Sequence, residues 1–242
     1  MRVASSLSMP IAEHLLIRSR SRLRRTFMAM GDERLPWLDL RFASYEIQAL
    51  QHLLKSVGPL YGLTAGFKEV SREAMEVFTA VETGFMCFSS LTRLDEQAAV
   101  VLGKWDRSTR PIRIVSVAEP LSEFAAYALT ADSEESNGEG ECDSPLSVSV
   151  PSLAVEAARG LARHSNELDV YVEGEPLLPD AAAALAQQVG YALTLELWHP
   201  PSPEVEVALT SNPKKRVRIK PWRGRTRVYI VDHDRWYSYY ES

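Results

Sequence analysis

The sequence predicts an α+β protein: an N-terminal segment of mixed helices and strands, then a C-terminal segment in which a βαβ-like unit leads into an antiparallel meander. Three observations predict it. Apolar residues switch between helical and alternating periodicity along the chain. An acidic stretch rich in serine and glycine at 131–145 divides it. After Glu204, short alternating stretches are cut by turn-forming residues.

With 242 residues, 45% hydrophobic and 24% charged, the composition is globular, and the length allows a sizeable core without staples. No apolar run is long enough to span a bilayer. Cys87 and Cys142 have no cysteine or histidine beside them, so neither a zinc site nor a disulfide framework is implied. The expected setting is a reducing, intracellular one, cytoplasmic first, with a nuclear or organellar location as alternatives.

Residues 1–34 read as a basic N-terminal helix or arm. Leu16, Leu23, Phe27 and Met30 share one helical face, with Arg18, Arg22 and Arg25 opposite. Six arginines and one acid in the first 28 residues also resemble a transit peptide in composition. Residues 35–130 form the N-terminal α+β segment. Phe42, Ile47, Leu50, Leu53 and Leu54 recur at helical spacing until Gly58 and Pro59, and a second helix covers Phe67–Val81. Gly84–Leu91, Ala98–Trp105 and Ile112–Val117 read as strands, the second buried on both faces around Val100 and Val101, and Leu121–Leu129 reads as a helix.

The 131–145 stretch carries six acids, Asp132, Glu134, Glu135, Glu139, Glu141 and Asp143, and reads as a flexible acidic linker. Residues 146–242 form the C-terminal segment, and no internal repeat is visible along the chain. A helix over Leu153–Arg163 precedes the half-buried strand Leu168–Glu173. Asp180 offers an N-cap to Ala181–Val189, Gly190 follows the helix, and Tyr191–Leu197 returns as a strand. A crossover of that length places the two strands parallel.

From Glu204 onward the reading is a four-strand meander with turns at Ser211–Pro213, Pro221–Gly224 and Asp232–Asp234. Tight turns would set Glu206 opposite Arg218, Glu204 opposite Lys220, Arg218 opposite Arg227, Arg216 opposite Tyr229 and Arg227 opposite Tyr239. One face would then be core, and the other would gather Arg216, Arg218, Lys220, Arg225, Arg227, Tyr229, Tyr237 and Tyr239. Charge sharpens the point: residues 214–227 hold eight basic residues and no acid, whereas 35–213 hold 11 basic and 26 acidic.

Guanidinium groups for phosphates and tyrosine rings for bases are the residue types that hold RNA or single-stranded DNA. The candidate binding set is Arg216, Arg218, Arg223, Arg225, Arg227, Tyr229, Tyr237 and Tyr239, with Trp222 placed in the basic turn. The expected function is therefore that of a nonenzymatic binding or regulatory protein. The alternative is protein–protein interaction, with the basic hairpin meeting an acidic protein surface or a second copy of the chain.

The phosphate-binding glycine loop, the dinucleotide fingerprint, the serine elbow and the metalloprotease helix are absent from the sequence, and no family signature is present. The five histidines are scattered without metal-ligand spacing. Asp232, His233 and Asp234 read as a hairpin turn, Glu173 and Glu175 as loop acids, and Trp198–Pro201 as a rigid corner. No catalytic residue, cofactor or metal is expected from these features.

Overall fold

The computed structural model describes residues 6–16, 37–40, 42–105, 112–130, 145–190, 192–211, 216–221, 226–232 and 235–241. A short strand β1 (Ser6–Leu7) leads into helix α1 (residues 9–16), and β1 pairs in parallel with β3 (Ser44–Tyr45). The main sheet contains β2 (Trp37–Leu40), β4 (Gly62–Ala65), β5 (Phe85–Leu91), β6 (Ile112–Val117), β7 (Leu146–Val150), β8 (Leu168–Val172), β9 (Ala192–Leu197) and β10 (Arg216–Pro221), all parallel and adjacent in that order. At the far edge β11 (Thr226–Asp232) and β12 (Arg235–Glu241) add two antiparallel strands.

One helix crosses between each neighbouring pair of parallel strands: α2 (Ile47–Val57), α3 (Arg72–Thr79), α4 (Glu96–Gly103), α5 (Glu123–Thr130), α6 (Val155–Leu161), α7 (Pro179–Ala186) and α8 (Pro203–Leu209). Each helix from α2 to α7 packs on the next in sequence. The fold is therefore α/β, built of the βαβ units found in Rossmann-type proteins. The strand order runs in one direction throughout, without the reversal of a doubly wound sheet. From β7 onward the strands start at residues 146, 168, 192 and 216, so a structural unit of 22 to 24 residues repeats, contrary to the expectation of no internal repeat. That is the spacing of stacked repeat architectures, in which each unit buries its apolar face against its neighbours.

The α+β expectation with its meander is overturned by this topology. Ala98–Trp105, read as a strand, belongs mainly to α4: Ala98, Ala99 and Leu102 are buried at helical spacing, and the Asp95 carboxylate accepts from the backbone N–H groups of Gln97 and Ala98. Glu204–Val207, read as the first meander strand, lies in α8. The Ser202 hydroxyl caps it by accepting from Val205 N–H, Pro203 opens it, and Val205 and Leu209 are buried four residues apart while Val207 is exposed. Asp180 sits in the first turn of α7 and Leu178 occupies the N-cap. The parallel pairing expected across 168–197 is present between β8 and β9.

Residues 131–144 lie outside the described residues. The strands on either side of them in sequence, β6 and β7, are neighbours in the sheet, and one buried apolar cluster runs from Leu7 to Ile219. A single register row shows how the core is made: Leu40, Ala65, Phe88, Val115, Val148, Val170, Leu195 and Ile219 stand side by side on eight strands, all buried. Among the described residues no helix is long and apolar enough to cross a membrane.

Candidate functional site

Strand side chains alternate between faces, so the residues between those core positions fall on the other side of the sheet. The neighbouring row there reads Asp39, Thr64, Cys87, Ile114, Ser147, Asp169, Thr194 and Arg218. Two residues further along the strands, Ser116, Ser149, Tyr171 and Glu196 form a second row, with Lys220 at the next register position. The crossover helices stack on one another, and they cover the opposite, apolar face. Among the described residues the crossover helices leave this second, open face uncovered; it changes character along its length, from aromatic at β2 to polar over β7–β10, where Ser147, Ser149 and Thr194 are buried between larger neighbours.

At the β2 end the Trp37 ring lies 4.8 Å from Phe85 and 6.1 Å from Tyr61, centroid to centroid. Gly62 allows this: a Cβ there would stand 2.6 Å from the Trp37 ring. The indole N–H donates to the Thr64 hydroxyl at 3.2 Å, fixing the ring across the strands. The adjacent Cys87 thiol is pushed above its usual range by burial and by the Asp39 carboxylate, so it stays protonated near neutral pH.

Over β7–β10 the polar groups are tied to one another. The Ser147 hydroxyl donates to Asp169 Oδ2 at 3.1 Å, and the Ser149 hydroxyl donates to Glu173 Oε1 at 2.7 Å. Tyr171 stands between Asp169 and Glu173 along β8. Its phenol is raised above the ordinary value, first by burial and then by the Asp169 and Glu196 carboxylates. It is therefore a protonated hydroxyl flanked by anions. Past the strand ends, His199 Nε2 lies 2.8 Å from the Gly174 carbonyl oxygen and Trp198 N–H donates to the Val172 carbonyl, tying residues 198 and 199 to the end of β8; the 198–201 segment leads from β9 into α8 and not, as expected, into another strand.

The basic, tyrosine-rich set is distributed differently from the sequence expectation. Trp222, Arg223 and Arg225 lie outside the described residues, as do His233 and Asp234. In the β10–β11 ladder Arg218 pairs with Val228, and Arg227 pairs with Ile219. Tyr229 pairs with Val217 and with Ser238, and Tyr239 and Tyr237 pair with Val228 and Ile230. Every pair is one residue out from the expected register, and a one-residue slip exchanges the faces. By register Arg216, Arg218, Tyr237 and Tyr239 fall in the rows that alternate with the core positions, and Arg227 and Tyr229 fall in line with Ile219 and Val217. Glu204 and Glu206, now in α8, are not cross-strand partners of Lys220 and Arg218.

The polar grid on β7–β9 escaped the sequence reading, although its signal was present. Leu146, Val148 and Val150, then Leu168, Val170 and Val172, then Leu193, Leu195 and Leu197 repeat one pattern, and the residues between them are the grid. Among the described residues no group of three histidine, cysteine or acidic side chains could hold a metal. A cleft of about 570 Å³ between α2 and α3, with Leu54, Val77 and Val81 along it, lies among the helices and gathers no catalytic constellation. No family model matches the chain, and no curated protein or solved structure is significantly similar to it.

Proposed function

We propose that the protein is a nonenzymatic binding protein that receives a segment of a protein partner on the open face of its sheet, across β7–β10. The observation that carries this reading is the one-sided cover among the described residues: helices line one face of the parallel sheet, while the other carries Asp169, Tyr171 and Glu196 half-buried in register, with Ser147, Ser149 and Thr194 buried between them. Parallel sheets otherwise bury both faces, and open sheets of stacked repeats serve as extended binding surfaces. Four strands at the usual spacing span about 14 Å, enough for a short extended segment.

Charge selects the kind of partner. Asp169, Glu173 and Glu196 lie among Ser147, Ser149 and Thr194, with Arg218 at the border. This pattern favours a segment offering cationic and hydrogen-bond donor groups over a polyanion laid across the grid. Binding of RNA or single-stranded DNA through Arg216, Arg218 and the tyrosines of β12 is the second reading, supported by the run of basic residues from 214 to 227.

A photocrosslinking phenylalanine analogue in place of Tyr171, compared with the same analogue in place of the exposed helix residue Val207, tests the proposal in cells. A protein adduct specific to position 171, and lost when Asp169→Asn and Glu196→Gln are added, supports it. Equal adducts at both positions overturn the face assignment, and an adduct removed by nuclease favours the second reading.

A further inference from the structure

We propose that the protein forms a two-fold homodimer in which strand β12 pairs antiparallel with β12 of a second copy, joining the two sheets into one. The observation is a self-complementary sheet edge. β12 ends the strand order and, among the described residues, pairs on one side only, with β11. It is seven residues long, Arg-Trp-Tyr-Ser-Tyr-Tyr-Glu, and has neither the proline nor the central charge that usually blunts an exposed edge. The opposite edge, β2, is four residues long and carries Asp39.

The sequence of β12 reads complementarily when it is turned against itself about Ser238. Arg235 then stands opposite the partner's Glu241, Trp236 opposite the partner's Tyr240, and Tyr237 opposite the partner's Tyr239. Opposite charges and aromatic pairs are the combinations that favour antiparallel strands.

Backbone direction selects the same centre. Asp232 and Arg235 pair across a two-residue loop, the arrangement that closes a hairpin on a hydrogen-bonded pair. Alternation then directs the N–H and C=O groups of Arg235, Tyr237, Tyr239 and Glu241 toward β11, and those of Trp236, Ser238 and Tyr240 away from it. A two-fold at Ser238 sets those three outward residues against the partner's same three, giving three hydrogen-bonded pairs and about six bonds. The dyad stands perpendicular to the sheet, so both open faces continue on one side of the dimer. This inference does not depend on the identity of any partner held there.

Sedimentation equilibrium of the full chain at about 50 µM tests it; the expected mass is twice 27.1 kDa. Ser238→Pro removes an N–H that faces away from β11, so the hairpin keeps its own ladder while the dimer is lost. Arg235→Glu or Glu241→Arg alone sets like charges opposite each other at both ends of the pairing and weakens association by about 3-fold to 30-fold; the double swap restores it. A monomer at this concentration overturns the proposal. So does a dimer that survives both Ser238→Pro and the single swaps in variants whose circular dichroism and melting match the parent.

Discussion

Arg113 Nη1 lies 3.4 Å from the carbonyl oxygen of Leu129 at the C-terminal end of α5, and at the same distance from the Leu102 carbonyl at the end of α4. The side chain occupies a core row, between Met86 and Leu146 in register, and is 3% exposed. A guanidinium is stable there because the ends of two helices direct carbonyl oxygens and the negative ends of their dipoles at it. Arg113→Ala leaves those carbonyls without this donor and opens a cavity, and it is expected to cost about 2–4 kcal/mol. Arg113→Met refills the volume and is expected to cost about half as much. Urea denaturation of the two variants checks the order, and a loss below about 1 kcal/mol for the alanine would show that the arginine does not hold the helix ends together.

The same stacking of helices reverses the usual effect of glycine at position 160. In an exposed helix, Gly→Ala gains about 1 kcal/mol. A Cβ at Gly160 in α6 would stand 2.8 Å from the Ala126 Cβ and 2.8 Å from the Tyr127 backbone nitrogen, so α5 and α6 would have to separate. The Gly160 carbonyl also accepts from the Thr130 hydroxyl at 3.0 Å, which ties the two helices at this point. Gly160→Ala is therefore expected to destabilise by about 1–3 kcal/mol, seen as a lower thermal midpoint. An unchanged or raised midpoint would mean that the helix contact is looser than these distances.

Two helices that the sequence presented as strands have N-caps whose removal is diagnostic. Asp95 Oδ1 accepts from Gln97 N–H at 3.0 Å and Ala98 N–H at 3.2 Å, and the Ser202 hydroxyl accepts from Val205 N–H at 3.3 Å. Asp95→Ala and Ser202→Ala are each expected to cost about 0.5–2 kcal/mol in chemical denaturation. Strands at 98–105 and 204–207 would predict no such loss, so the two substitutions test the assignments directly.

The misread elements show where periodicity becomes ambiguous. Val100, Val101 and Leu102 form a short apolar run, and a run of that length suits a buried strand or a helix equally well. The capping carboxylate at 95 held the deciding information. Val205 and Val207 alternate like a strand, yet Pro203 after Ser202 is a helix start. The βαβ unit over 168–197 was legible because Leu168, Val170 and Val172 alternate cleanly and an alanine-rich helix follows. The monotonic strand order was not legible, since the helix and strand periods alone do not say which strands become neighbours. For the candidate site, the basic hairpin drew attention through charge density. The grid of Ser147, Ser149, Asp169, Tyr171 and Glu196 has no sequence cluster, because its members are brought together only by parallel register.

Tyr171 reports on that grid through its ionisation. Burial raises its phenol above the ordinary value of 10.0, and the Asp169 and Glu196 carboxylates raise it further. A group whose folded value is raised contributes stability that is intact below its unfolded value and is lost as the pH rises through the folded one. The Tyr171 contribution is therefore present across the neutral range and is lost upward from about pH 10. Asp169→Asn combined with Glu196→Gln removes both charges and leaves the burial, so the Tyr171 titration is expected to move down toward 10.0 without reaching it. Ultraviolet phenolate absorbance, taken as the difference between each background and the same background carrying Tyr171→Phe, isolates this tyrosine from the other eight. A downward shift, accompanied by loss of the position-171 protein adduct, ties the acidic grid to partner binding. An unmoved titration would mean that the two carboxylates do not act on the phenol, and the electrostatic part of the proposed site would fall with it.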